Sequence, residues 1–124
     1  MKFYKQARGT GNAAPFLFPK KQDDPFYFTA KWQRLRRRIL KRDGYMCQLS
    51  KRYGIIKKAE VVHHCFPLEE YPEYAFEPWN LISLSLSRHN ALHDRNTNAL
   101  TEEGRQLLVR VARKEGIEIP EKYQ

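Results

Sequence analysis

Cysteine is scarce in this chain. Its two thiols, Cys47 and Cys65, are too few and too scattered for the disulfide framework that holds small secreted domains together, and a reducing cytoplasm is the compartment they fit. Long apolar runs are missing too, since no stretch approaches the roughly 20 residues that span a bilayer. Behind the charges of Met1-Lys2-Phe3-Tyr4-Lys5 there is no apolar core of a secretory signal. The expectation is a soluble, cytoplasmic protein without a membrane partner. No internal repeat or low-complexity tract occurs, which sets aside repeat architectures. Acid is in short supply: 14 Asp plus Glu against 23 Lys plus Arg leave a net charge of +9. Such a balance favours a polyanionic partner, nucleic acid first. At 124 residues there is room for one small domain with a modest core, whose stability a bound ion would supplement.

Along the chain, residues 1–28 mix Gly9, Gly11, Pro15, Pro19 and Pro25 with Phe and Tyr in no helical or alternating order, and read as an aromatic, Pro-rich arm. At Thr29 the pattern changes. Trp32, Leu35, Ile39 and Leu40 recur at helical spacing, Thr29 suits the N-cap and Gly44 lies just past the end, so a helix is predicted over Ala30 to Arg42. Its other face carries Lys31, Arg34, Arg36, Arg37, Arg38, Lys41 and Arg42 with no acid among them. Two readings stand side by side for that face: a row of phosphate contacts, or a solvated surface.

Ala59-Glu60-Val61-Val62-His63-His64 has the β-branched content of a strand. The Pro-rich, acidic and aromatic residues 66–79 read as an ordered loop, and Leu81-Ile82-Ser83-Leu84 as a second strand. Ser87 is the expected cap of a short helix carrying His89, Asn90 and His93. Thr101 caps a last helix over 102–115, with Glu102 and Glu103 in its first turn and Gly116 at its end. The fold class is α+β: strand, loop, strand and short helix, framed by an N-terminal and a C-terminal helix. The expected organisation is an arm over 1–28, a domain over 29–116 and a tail over 117–124.

All four histidines fall between positions 63 and 93, as an adjacent pair and an i, i+4 pair. On one helix, His89 and His93 share a face, so two imidazoles can reach one ion. On a strand, His63 and His64 project to opposite sides, so only one of them joins that ion easily and the other is left for acid/base work. An unperturbed imidazole pKa near 6.5 leaves much of it neutral and able to take a proton from water. Taken singly, each histidine is more often structural than ligating. The clustering is what reverses that balance.

Through Trp32-x-x-Leu35, Arg42-Asp43-Gly44-Tyr45-x-Cys47, Val62-His63-His64, Asn80-Leu81-Ile82-x-Leu84 and His89-Asn90-x-x-His93, the stretch from Trp32 to Arg95 resembles the HNH endonucleases and related ββα-metal nucleases. The resemblance implies a ββα-metal motif that hydrolyses double-stranded DNA and leaves 5′-phosphate and 3′-hydroxyl ends. It makes His63 a metal ligand, His64 the base that activates water and Asn80 the residue that holds the His-bearing loop. His89, with His93 as a further ligand, completes a site for one divalent ion, drawn from Mg, Mn, Ni or Zn. Arg88 and Arg95 flank the helical histidines, where a grip on phosphate and an exposed salt bridge are equally open.

Departures from the family pattern matter as much. Of the four cysteines with which many members bind a structural zinc, only Cys47 is kept, with Ser50, Ser85 and Arg88 at the other positions. Serine and arginine do not replace thiolates, so no structural zinc is expected, and packing by Trp32, Tyr45, Phe76 and Trp79 would serve instead. Cys65 reads as a small buried hydrophobe. Two alternatives to an endonuclease remain: a non-catalytic module that only binds nucleic acid, or an accessory subunit of a phage DNA-packaging (terminase) assembly, with the arm as its docking segment. Metal identity, DNA specificity and oligomeric state are not legible.

Overall fold

The computed structural model describes residues 24–124, so most of the expected arm over 1–28 lies outside the described residues. The described residues divide into two units within the first helix, after Gln33. Among the described residues no helix is long and apolar enough to cross a membrane.

In the first unit, Asp24 opens a 3-10 turn over Pro25–Phe28, its carboxylate accepting from the Phe26 amide at 2.8 Å. Thr29 then caps helix α1 (Ala30–Arg42), its hydroxyl accepting from the Trp32 amide at 3.2 Å. The Trp32 indole packs on the rings of Phe26 and Tyr27, with centroids 5.2 and 5.6 Å away.

In the second unit, Leu35 and Ile39 of α1 are buried, as the periodicity predicts. Two consecutive left-handed residues, Gly44 (φ +65°) and Tyr45 (φ +60°), then turn the chain. For tyrosine that conformation costs roughly 1–2 kcal/mol. The turn leaves the ring 57% exposed, so Tyr45 does not provide the packing expected of it. A short helix α2 (Gln48–Arg52) follows.

Strands β1 (Val61–His64) and β2 (Leu81–Leu84) pair antiparallel, in the register Val61↔Leu84, Val62↔Ser83, His63↔Ile82 and His64↔Leu81. The first strand starts two residues later than the sequence pattern indicates. Ala59 is held by the Tyr45 carbonyl and Glu60 by that of Leu84 before the ladder begins. Between the strands the loop is ordered by 3-10 turns at Pro72–Tyr74 and Pro78–Asn80. Helices α3 (Leu86–Ala91) and α4 (Glu102–Glu115) complete the unit.

Helix α4 begins and ends where its signals stand. Thr101 accepts from the Gly104 amide at 3.3 Å, and Gly116 closes the helix in the left-handed conformation, φ 72°. Its neighbouring Leu107 and Leu108 point about 100° apart and serve two core clusters. Leu107 packs with Cys47, Leu49, Cys65, Leu84 and Leu92. Leu108 packs with Phe66, Ala112 and Tyr123 against Tyr71, Tyr74 and Trp79. Cys65 is therefore the buried hydrophobe expected. Tyr123, in the stretch read as a tail, is buried and donates its hydroxyl to Glu70 at 2.8 Å.

Gly104 shows how tightly α4 is seated. A Cβ there would lie 2.6 Å from the Leu92 carbonyl oxygen, and Leu92 immediately precedes His93. Although alanine is the better helix former, we expect Gly104→Ala to lower the unfolding free energy by about 1–3 kcal/mol, because the overpacked helix must move. Urea titration followed by circular dichroism reads this. An unchanged or raised midpoint would contradict the close approach.

Candidate metal centre

Strand alternation separates the adjacent pair. His63, 1% exposed, turns its ring toward His89 and His93, with centroids 5.3 and 5.2 Å away, while those of His89 and His93 are 5.0 Å apart. All three ring pairs meet edge to face, at 65–71°. One nitrogen from each ring can be chosen so that all lie within 4.8 Å of one another. Three imidazoles that converge in this way, with no carboxylate among them, form a neutral nitrogen donor set suited to a first-row divalent ion. His63 is buried, whereas His89 and His93 are half-buried, so the cluster opens toward solvent on the α3 side.

The local route to this cluster differs from the expectation in two respects. Ser85, not Ser87, caps α3: its backbone is extended and its hydroxyl accepts from the Arg88 amide at 3.3 Å. Ser87 lies inside the helix, where its hydroxyl meets Lys57 Nζ at 2.9 Å. The helix also ends at Ala91, so His93 stands beyond it, in a bridge with Leu100. The pair still converges because Leu92 keeps near-helical angles, φ −88° and ψ −11°. His93 Nδ1 lies 3.3 Å from the Asn98 carbonyl. A ring donating from Nδ1 presents the lone pair of Nε2, the usual arrangement that orients a ligand histidine.

His64 is not part of that cluster and is fully buried. Its Nε2 lies 3.0 Å from the Ala75 carbonyl oxygen. A carbonyl only accepts, so Nε2 carries the hydrogen and Nδ1 is the basic nitrogen of the neutral ring. Asn80 works one step behind this contact. Its Oδ1 accepts from the Phe66 amide at 2.7 Å, and its Nδ2 donates to the carbonyls of Phe66 and Tyr74 at 3.3 and 3.2 Å. All three bonds go to backbone, so Asn80 ties the start of the loop to the residue before Ala75.

A second fastener carries no histidine. Arg42 pairs with Asp43 at 2.9 Å and donates to the carbonyls of Pro78 and Leu81 at 2.9 and 2.7 Å, while Asp43 accepts from the Ser83 amide at 3.0 Å. Together they cover the outer edge of β2, the strand opposite His63 and His64. Arg42 and Arg36, which donates to the Glu60 carbonyl at 3.1 Å, thus leave the basic row for structural work. Arg34, Arg37, Arg38 and Lys41 stay exposed on α1, as does Arg95 after α3. Arg88 pairs with Glu103 at 3.2 Å.

Three of the four positions compared with structural-zinc cysteines, Cys47, Ser50 and Ser85, still meet. Burial pushes the Cys47 thiol up, but hydrogen bonds from the side chains and backbone of Ser50 and Ser85 outweigh it and bring the pKa down to about 7. Hydroxyls and amides thus surround the one sulfur at this place, all of them buried.

No protein-family model matches the sequence, and no curated protein matches it. Among solved structures, the HNH endonuclease of the deep-sea thermophilic bacteriophage GVE2, crystallised with manganese ion, superposes with a TM-score of 0.53 at 33% sequence identity. The match covers 56% of this chain and 76% of the phage protein. The chain belongs to the HNH endonuclease family. Its β1, loop, β2 and α3 are the ββα motif of that family, and the histidine cluster lies within this HNH motif and the residues directly after it.

Proposed function

We propose that this HNH protein is a metal-dependent endonuclease that hydrolyses phosphodiester bonds of double-stranded DNA. One observation carries the reading: three imidazoles converge on one point, while a fourth, next along the same strand, is held by a backbone carbonyl. His63, His89 and His93 would hold one divalent cation, which supplies charge relief to the phosphate and the departing 3′ oxygen. Imidazole donors suit nickel or zinc better than magnesium, and manganese accompanies the phage relative.

His64 Nδ1 takes a proton from the attacking water as its oxygen bonds to phosphorus and the bond from phosphorus to O3′ breaks. The O3′ leaves as a hydroxyl after taking a proton from solvent, and the phosphate stays on the 5′ end. Hydrogen bonding from Nε2 to the Ala75 carbonyl stabilises the imidazolium as it forms and keeps the ring from rotating. Arg34, Arg37, Arg38 and Lys41 offer exposed charge to the phosphates of the duplex, and Arg95 adds to it beside the cluster.

The test is conversion of supercoiled plasmid by purified protein with Mg²⁺, Mn²⁺, Ni²⁺ or Zn²⁺, against EDTA. We expect nicked or linear product with at least one ion and none with EDTA. A folded protein that retards DNA but converts none of it under any ion would establish the non-catalytic binding module instead.

A further inference from the structure

The loop after α2 plays no part in the metal centre, yet it is the most unusual surface of the second unit. From Gly44 to Ala59 the sequence has no acid, and Lys51-Arg52-Tyr53-Gly54-Ile55-Ile56-Lys57-Lys58 places apolar residues between pairs of cations. At its tip Tyr53, Ile55 and Ile56 are 70%, 51% and 87% exposed. The tip is nonetheless ordered. The amides of Tyr53 and Ile55 both donate to the Ser50 carbonyl at 3.0 Å, and Gly54 donates to that of Lys51 at 2.9 Å. Below it the stem is closed by bonds from the Cys47 amide to the Lys57 carbonyl at 2.7 Å and from the Ala59 amide to that of Tyr45 at 2.9 Å. Displaying large apolar side chains in water does nothing for the stability of the fold, and exposed patches of this kind mark binding surfaces.

Two contacts tie this tip to the helix that bears His89. Lys57 Nζ donates to the Ser87 hydroxyl at 2.9 Å, and the Arg88 guanidinium stands 5.9 Å from the centroid of the Tyr53 ring. Burial lowers the pKa of Arg110, and the like charge of Arg52 lowers it further, which places another cation of α4 near the same edge. The loop therefore flanks the helix that carries His89.

We propose that the loop over Lys51–Lys58 is a second contact with the DNA that the metal centre cuts, with Lys51, Arg52 and Lys58 on phosphates and Ile55, Ile56 and Tyr53 against the sugars and bases of the groove. Cations flanking apolar side chains match the two surfaces of a nucleic-acid groove, charged at the rim and apolar within. The loop thereby gives a compact nuclease a means of choosing where along the DNA it sits. The identity of this DNA as substrate rests on the endonuclease reading.

The experiment measures binding of a short labelled duplex by fluorescence anisotropy, with the full chain carrying His64→Ala and Mn²⁺ present so that the duplex survives. Ile55→Ser with Ile56→Ser is expected to weaken binding about tenfold and leave its salt dependence unchanged. Lys51→Ala with Arg52→Ala and Lys58→Ala is expected to weaken it at least as much and to flatten the salt slope by about one for each phosphate that the variant no longer neutralises. Placed in the chain with His64 intact, both sets should leave hydrolysis of bis(p-nitrophenyl) phosphate within about twofold, because a small diester needs only the metal centre. Duplex affinity within about threefold of the parent for both sets, at unchanged melting temperature, overturns the proposal and leaves the tip to a protein partner. Failure of the endonuclease reading has a different signature: the parent chain then cleaves neither plasmid nor small diester, while the anisotropy comparison stands.

Discussion

His64→Ala is expected to slow DNA cleavage about 10²–10⁴-fold, the usual contribution of a positioned general base, while divalent-ion affinity stays where it is. Membership of the ring cluster is the physical reason. His64 is not among the three rings that converge, so its removal takes away proton transfer without a ligand. Truncation also leaves the Ala75 carbonyl without its donor, which costs about 1–3 kcal/mol of stability. His64→Gln is the matching control, since its amide can donate to that carbonyl but cannot serve as a base. Single-turnover plasmid cleavage reads the rate, and calorimetric titration with Mn²⁺ or Ni²⁺ reads the affinity. Cleavage by either variant at the parental rate would remove His64 from the mechanism.

His63→Ala is expected to have the opposite profile. Losing one of three imidazole donors should lower ion affinity on the order of 100-fold or more, and cleavage should fall with it. A ligand at 100 times its dissociation constant stabilises the folded state by about 2.7 kcal/mol, so the parent should gain several degrees of melting temperature when the ion is added and lose them to EDTA. The variant should show neither change. His63 is buried and its loss will disturb the ion-free fold, so His89→Ala, at a half-buried ring on α3, separates binding from packing. It should abolish the ion-dependent shift with less effect on ion-free stability. If both variants bind as tightly as the parent, the three-ring site is wrong. Adjacent residues with opposite outcomes, one in affinity and one in rate, are the sharpest demand that this strand geometry makes.

Much of the framework is legible in the chain because it is local. The limits of α1 and α4 follow from caps and glycines within a turn of the helix ends: Thr29, Thr101 and Gly116 act where they stand. That His63 joins the ring cluster and His64 does not follows from the two-residue period of a strand. Ser85 and Ser87 show where such reasoning stops. Both are good caps two residues apart, and Ser85 takes the role because β2 delivers the chain to it in extended conformation, while Lys57 occupies the hydroxyl of Ser87. His93 is similar: helical spacing predicts its position relative to His89, but the helix ends first and the geometry survives through Leu92 alone.

The features that stay hidden involve partners far along the chain. No side chain announces that Ala75 supplies the carbonyl for His64, eleven residues away, since any residue type carries that group. The Arg42 and Asp43 pair reads as part of a basic helix end, yet it fastens β2 about 40 positions later. Sequence leaves Arg88 open between phosphate and a carboxylate, and only the fold shows that α4 brings Glu103 beside it. Local periodicity and capping, set by neighbours a few bonds apart, are enough to say that this chain makes strand, loop, strand and helix with its histidines along them. Only the packed molecule decides which ring nitrogen faces which partner and which arginines stay in solvent, because those choices depend on atoms that folding alone brings together.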